Sequence, residues 1–165
     1  MPSNPRISPC LWFNTEAEDA ANFYTGIFKN SRITNIGRYG EGGQEIHGRA
    51  TGSVMIVVFE LDGQQFSALN GGPHFQFTPA ISLQVDCKTQ AEVDHYWDRL
   101  SAGGDPKAQQ CGWLKDRFGL SWQIVPDIVP KLLGDAGSPK SQRAMNAMMQ
   151  MKKPDIAAMQ RAYDG

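Results

Sequence analysis

The chain has 165 residues, 41% of them apolar and 20% charged, the profile of an ordinary soluble globular protein. Sixteen lysines and arginines stand against 17 acidic residues for a formal charge of −1, with no basic run, which argues against a nucleic-acid partner. The longest apolar stretch, residues 54–59, falls far short of the ~20 needed to cross a bilayer, so no membrane partner is expected.

The start, Met1-Pro2-Ser3-Asn4-Pro5, has neither a basic n-region nor an apolar h-region, and a cytoplasmic location is expected. A first strand is predicted over 7–14. Thr15-Glu16-Ala17-Glu18 follows, a Thr-x-x-Glu capping box in which hydroxyl and carboxylate satisfy orphan N–H groups of a first helical turn. Behind it Ala20, Phe23, Tyr24 and Ile27 form a stripe at i, i+3, i+4, i+7, with Asn30 as the stop. Strands are predicted over 32–39, 53–61 and 65–70. The Gly-rich run Gly40-Glu41-Gly42-Gly43 precedes the second of them, and an Asp62-Gly63 hairpin turn the third. Gly71-Gly72-Pro73-His74 reads as a joint.

The pattern then repeats. A strand is predicted over 80–87, where Ile81, Leu83 and Val85 alternate with Ser82, Gln84 and Asp86. Thr89-Gln90-Ala91-Glu92 is a second capping box, followed by the stripe Val93, Tyr96, Trp97 and Leu100 and a stop at Gly103-Gly104. Strands over 108–115 and 121–125 flank a turn at Asp116-Arg117-Phe118-Gly119, and the first strand after this helix is short or missing. The fold class is therefore α+β: two βαβββ modules, 1–72 and 73–130, and a helical extension, 131–165, in one compact domain. In that extension Pro126 and Pro130 break any continuing strand. Ser138 caps a helix over 140–152 crowded with Met145, Met148, Met149 and Met151, and Pro154-Asp155 opens a last helix through Ile156, Met159 and Tyr163. Left as a contiguous patch, these apolar side chains would exceed what soluble monomers tolerate. A homodimer is expected, with the tail helices at or near its interface.

Candidate chemistry is sparse. His95 lies on the polar side of its helix, His47 in the Gly-rich stretch and His74 in the joint. No HxH, HExxH or Cys/His cluster raises them to metal ligands, and Glu41 and Glu45 read as loop acids. The Gly-rich run leads into a strand rather than a helix, which argues against a phosphate cradle, a dinucleotide site or an adenosylmethionine fold. Cys10, Cys87 and Cys111 form no CxxC and read as reduced, small core residues. What remains is the sheet face that the helices do not cover. Alternation puts Cys10 and Trp12 on one such face with Ser8 and Asn14, Ser82 and Gln84 on another, and Ser67 and Gln123 in the last strand of each module. A mixed polar and aromatic face suits a small-molecule cavity, lined by Cys10, Trp12, Ser67, Ser82, Gln84, Trp113 and Gln123, with Asn70 and His47 at its rim.

Several runs of this chain resemble the vicinal oxygen chelate superfamily (glyoxalase, bleomycin resistance, extradiol dioxygenase). They are closest to its PhnB-like branch, also called 3-demethylubiquinone-9 3-methyltransferase-like. The runs are Pro9-Cys10-Leu11-Trp12-Phe13, Ala17-Glu18-Asp19-Ala20-Ala21-Asn22-Phe23-Tyr24, Phe59-Glu60-Leu61-Asp62-Gly63-Gln64, Leu69-Asn70-Gly71-Gly72-Pro73, Cys111 through Trp122, and Lys152-Lys153-Pro154-Asp155-Ile156. The resemblance implies paired βαβββ modules. In metal-dependent relatives each module supplies two ligands, and that pattern falls here on Ser8 and Ser67, then Ala80 and Gln123. Only Gln123 is a credible ligand, so neither metal nor cofactor is expected, and a small aromatic or amphipathic ligand is. The alternatives are a metal-dependent lyase, isomerase or dioxygenase of the same superfamily, recruiting His47, Glu45 or His74, or a methyltransferase as the branch's label suggests.

Overall fold

The structure, a computed structural model, describes residues 6–165; the start at Met1–Pro5, read above for a leader, lies outside the described residues. The chain divides into two compact units, Met1–Gln76 and Phe77–Gly165.

In the first unit β1 (Cys10–Phe13) leads into α1 (Ala17–Thr25), then β2 (Arg32–Arg38), one helical turn α2 (Gln44–His47), β3 (Val54–Leu61) and β4 (Gln64–Asn70). The sheet order is β1-β4-β3-β2, with β1 parallel to β4 and the other pairs antiparallel. One face is closed: Leu11 and Phe13 of β1, Val57, Phe59 and Leu61 of β3 and Phe66 and Ala68 of β4 are buried together with Ala17, Ala20, Ala21, Tyr24 and Ile27 of the α1 segment. The small alanines let α1 lie close against the sheet; of the stripe expected from spacing Ala20, Tyr24 and Ile27 are buried and Phe23 is half-buried. The hairpin at Asp62-Gly63 takes positive φ at both positions (48° and 80°), the type I′ geometry that this dipeptide favours.

Two local expectations fail here. The first capping box does not form: Glu16 stands at the cap position without a side-chain cap bond, and its carboxylate accepts from the Thr15 N–H instead. The α1 N-terminus is satisfied from afar, by Asn70 Oδ1 accepting from Ala17 N at 2.9 Å. The Gly-rich run does not lead directly into a strand either; with Gly43 in the left-handed region (φ 76°) it opens α2.

In the second unit β5 (Leu83–Cys87) precedes α3 (Gln90–Ser101). A 3₁₀ turn at Pro106–Ala108 stands where a fourth strand would be, followed by β6 (Trp113–Lys115) and β7 (Ser121–Pro126). The three-stranded sheet has order β5-β7-β6, with β5 parallel to β7. The module is thus βαββ, in keeping with a missing strand after its helix. Its threonine cap does form: Glu92 N donates to Thr89 Oγ1 at 3.2 Å, while the Glu92 carboxylate reaches one residue beyond the cap and accepts from Lys88 N at 2.6 Å. Val93, Trp97 and Leu100 of α3 are buried with Val85, Cys87, Leu114, Trp122 and Ile124 of the sheet. Strand β5 begins later than alternation suggests, leaving Ile81 64% exposed, and β6 is far shorter than 108–115.

The tail folds onto its own unit. α4 (Val129–Leu133), α5 (Pro139–Met149) and α6 (Ile156–Asp164) enclose a small core of Leu132, Ala144 and Met159, against which Ile128, Val129, Leu133, Met148, Met151 and Tyr163 pack. Helix α4 was not legible in the sequence, because Pro126 and Pro130 read as breakers. Pro130 falls in the helix's first turn, where a missing N–H costs nothing, and Pro126 closes β7. Met145 and Met149 stay exposed, but Met148, Met151 and Met159 are accounted for within the chain, so the homodimer expected from a four-Met patch loses that support.

The anchor of the tail is Gln90. Its Oε1 accepts from Ile156 N at 2.9 Å and its Nε2 donates to Pro154 O at 3.0 Å, so the side-chain amide pairs with the tail as a peptide group would. Lys153 adds ion pairs to Asp94 (3.0 Å) and Asp98 (3.5 Å) along α3. The Gln90 hydrogen bond, and after it the Lys153 ammonium, hold the Asp94 carboxyl below its usual range.

Candidate functional site

Each sheet packs its helix on one side and leaves the other side open. In the first unit the open face of β1 and β4 carries Cys10 opposite Ser67 and Trp12 opposite Leu69, as strand register requires. The Trp12 ring does not swing freely. Its Nε1 donates to Gly72 O at 2.9 Å, its edge meets Phe75 at 4.9 Å between centroids, and it lies so close over Gly71 that a Cβ there would fall inside the ring. Gly71 is thus glycine because an indole occupies the space of its side chain.

In the second unit register sets Gln84, Gln123 and Trp113 in one row across β5, β7 and β6. Gln123 Nε2 donates to Ser82 Oγ at 2.8 Å, bringing the fourth expected residue to the same face. Ser82, Gln84, Trp113 and Gln123 therefore come together as alternation implies, and Cys10, Trp12 and Ser67 come together in the first unit.

Asn70 and His47 are placed differently. Asn70 points to the closed side and is 6% exposed. Besides capping α1 it donates from Nδ2 to Val54 O at 3.1 Å, while its backbone carbonyl accepts from the Tyr39 hydroxyl at 2.6 Å. Both amide atoms are spent on structure. His47 is stacked on Tyr39 at 4.6 Å. Its Nδ1 accepts from Arg49 N (3.0 Å) and its Nε2 donates to Gly42 O (3.2 Å), one neutral tautomer that leaves neither nitrogen for an ion. His74 and His95 are exposed.

The cysteines are not uniformly core. Cys10 is exposed on the open face of β1, and Cys111 is half-buried in a left-handed turn (φ 50°) with its Sγ 3.6 Å from Met149 Sδ. Cys87 alone of the three is buried; burial first, then the charges of Glu92 and Asp86, push its thiol up to about 12. The thiolate is the reactive form, so iodoacetamide on the native protein near pH 8 is expected to alkylate Cys10 and Cys111 and to reach Cys87 only after unfolding. Peptide mass mapping reads the three sites, and native labelling of Cys87 as fast as Cys111 would contradict its placement.

Missed on the sequence were Lys107, Lys115 and Ser121. They border a concavity of about 330 Å³ beside Trp113. Lys115 and Ser121 are two positions from Trp113 and Gln123 and face each other in the ladder, so hairpin alternation was signal enough to find them.

A family model described as 3-demethylubiquinone-9 3-methyltransferase matches residues 5–125. A Bacillus cereus protein described as a 3-demethylubiquinone-9 3-methyltransferase, PhnB protein, is 37% identical over 73% of this chain and 98% of its own, with a TM-score of 0.62. The chain belongs to this 3-demethylubiquinone-9 3-methyltransferase-like, PhnB-like family. Protein PA1353 from Pseudomonas aeruginosa shares the fold at 18% identity, with a TM-score of 0.56 over 73% of this PhnB-like chain and 98% of its own. A comparison with curated proteins gives no match. The family match ends at 125, inside β7, so the helices α4 to α6 of this PhnB-like protein lie beyond it.

The metal chemistry of the wider superfamily does not fit the residues present. The positions the resemblance assigns hold two hydroxyls, a methyl group and an amide: Ser8, Ser67, Ala80 and Gln123. Among the described residues no three His, Cys, Asp or Glu side chains are grouped to hold an ion. A divalent cation wants imidazole, thiolate or carboxylate donors, and this set supplies none. Nor does the methyltransferase name find a cofactor cradle at the glycines. Gly43 opens a helix of only four residues, whose Ile46 is 87% exposed, and so short a helix offers almost no dipole. No helix among the described residues is long and apolar enough to cross a membrane.

Proposed function

We propose that this PhnB-like protein binds a small aromatic or amphipathic molecule on an open sheet face, without a bound metal. The observation that carries the reading is the row Gln84, Gln123 and Trp113. It sets a half-buried ring among amides with a hydroxyl bonded to one of them, the mixture of apolar surface and few polar groups that small-molecule sites use. Trp12 supports it from the first unit, because a ring already fixed by Gly72 and Phe75 loses little freedom when a ligand stacks on it. The donor chemistry at Ser8, Ser67, Ala80 and Gln123 supports the metal-free half.

Titration with a panel of aromatic acids and amines, read by tryptophan quenching, is expected to give saturable one-to-one binding to at least one compound. Gln123→Ala is expected to shift that affinity while costing about 1 kcal/mol of stability, the net worth of one neutral hydrogen bond. Elemental analysis of protein purified without a polyhistidine tag checks the other half. Stoichiometric zinc, manganese or iron would overturn the metal-free reading in favour of a metal-dependent lyase, isomerase or dioxygenase. Absence of saturable quenching across the panel would overturn ligand binding itself.

A further inference from the structure

The concavity beside Trp113 has an unbalanced set of polar groups. Its walls include Pro79, Asp105, Lys107, Trp113, Lys115 and Ser121, all in the second unit. Among the described residues the Lys107 and Lys115 ammonium groups have no acidic partner within ion-pair reach. Asp105, the acid at the rim, turns an oxygen to Lys107 N at 2.9 Å as the cap of the 3₁₀ turn. Ser121 is 2% exposed, yet its hydroxyl makes no hydrogen bond to any described residue. Since no fully enclosed side-chain oxygen or nitrogen is left unpartnered among the described residues, the Ser121 hydroxyl must open onto the space it lines. Among the described residues the Trp113 indole N–H likewise has no acceptor. Lys107, Lys115, Ser121 and Trp113, whose side-chain donors are unmatched among the described residues, thus line about 330 Å³.

We propose that this concavity is the anion subsite of the small-molecule site: it takes the carboxylate, sulfonate or phosphate group of an amphipathic aromatic ligand whose ring lies against Trp113. The inference rests on the ligand-binding reading above and narrows it to oxyanions. Donors of this kind form the charge-assisted bonds that oxyanions accept best; Lys115 is half-buried, where solvent screens it less, and Lys107 is exposed at the rim. Ser121 adds a hydroxyl with no partner among the described residues to give up, so it can bond an incoming oxygen without breaking a hydrogen bond inside the fold.

The test uses two fluorescent probes of one ring system, 8-anilinonaphthalene-1-sulfonate and the uncharged N-phenyl-1-naphthylamine. The full-length protein is expected to bind the sulfonate saturably at one site, with affinity falling as salt rises. The double variant Lys107→Gln/Lys115→Gln is expected to weaken the sulfonate by about tenfold or more, the scale of losing one to two charge-assisted bonds, and to leave the neutral probe unchanged. Ser121→Ala, which removes one oxygen without changing charge, is expected to weaken the sulfonate several-fold. Equal affinity for the two probes, or a double variant that holds the sulfonate as well as the parent does, would overturn the anion subsite while leaving ligand binding standing. Saturable binding of neither probe would overturn both.

Discussion

Asp116→Ala is expected to cost about 3 to 5 kcal/mol of folding stability, because this single carboxylate gathers the turn between β6 and β7. Asp116 is 2% exposed. One oxygen accepts from Phe118 N (2.8 Å) and Leu120 N (3.1 Å), and the other from the Trp122 indole N–H (2.8 Å). Removing it strands at least two donors in a buried setting, at roughly 1–3 kcal/mol each. Asp116→Asn keeps one acceptor but sets an NH₂ group against the indole or the turn amides, so it too is expected to lose more than 1 kcal/mol. Urea unfolding followed by tryptophan fluorescence measures both, and a fall in midpoint at constant slope is the expected form. A loss below 1 kcal/mol for the alanine variant would show that the turn is held by other contacts.

The second large effect concerns a glycine pair whose members differ in what they need. Gly103 takes φ 78°, the left-handed region, and a Cβ there would meet only Arg117 side-chain atoms, at 3.4 Å and beyond. Gly103→Ala is therefore expected to cost about 1–2 kcal/mol, the ordinary penalty for that backbone conformation. Gly104 has no such φ, yet a Cβ on it would run into the Lys115 carbonyl, which is backbone of β6 and cannot rotate away. Gly104→Ala is expected to cost at least about 3 kcal/mol, more than its neighbour, and to disturb the strand that carries Trp113 and Lys115. Thermal or urea unfolding of the two variants side by side decides the order. If Gly103→Ala proves the worse, the close approach of residue 104 to β6 is not as tight as described.

That pair also shows where legibility ended. Gly103-Gly104 was readable as a helix stop, and a stop it is, but only three-dimensional proximity assigns the second glycine to a strand contact. The helix stripes, the Asp62-Gly63 hairpin and the alternation of the open faces were legible because each depends on neighbours within a few positions. So was the row Gln84, Gln123 and Trp113, whose members alternate in short strands, with Ser82 just ahead of β5 on the same face. Asn70 was not: nothing within its own strand says that its amide closes a helix start 53 positions earlier, in place of a Thr15 capping box that looked sufficient. Helix α4 was hidden by two prolines whose positions at an element's edge are harmless, and the tail's small core by methionines that suit a partner's surface as well as their own.

Asn70 is followed by Gly71, the dipeptide in which chains age fastest. In a slack segment the glycine nitrogen attacks the side-chain carbonyl, ammonia leaves, and a succinimide opens to aspartate or isoaspartate. Here the reaction is blocked at both ends: Gly71 N is tied to Phe13 O at 2.9 Å, and the Asn70 amide is held between Ala17 N and Val54 O. Deamidation must wait for that knot to open. In a stored preparation, then, the slow gain of one mass unit at Asn70 is a clock that runs only while the first unit is loose. The damage it records removes the Nδ2 donor that held β4 to Val54, so each copy that ages is easier to open again.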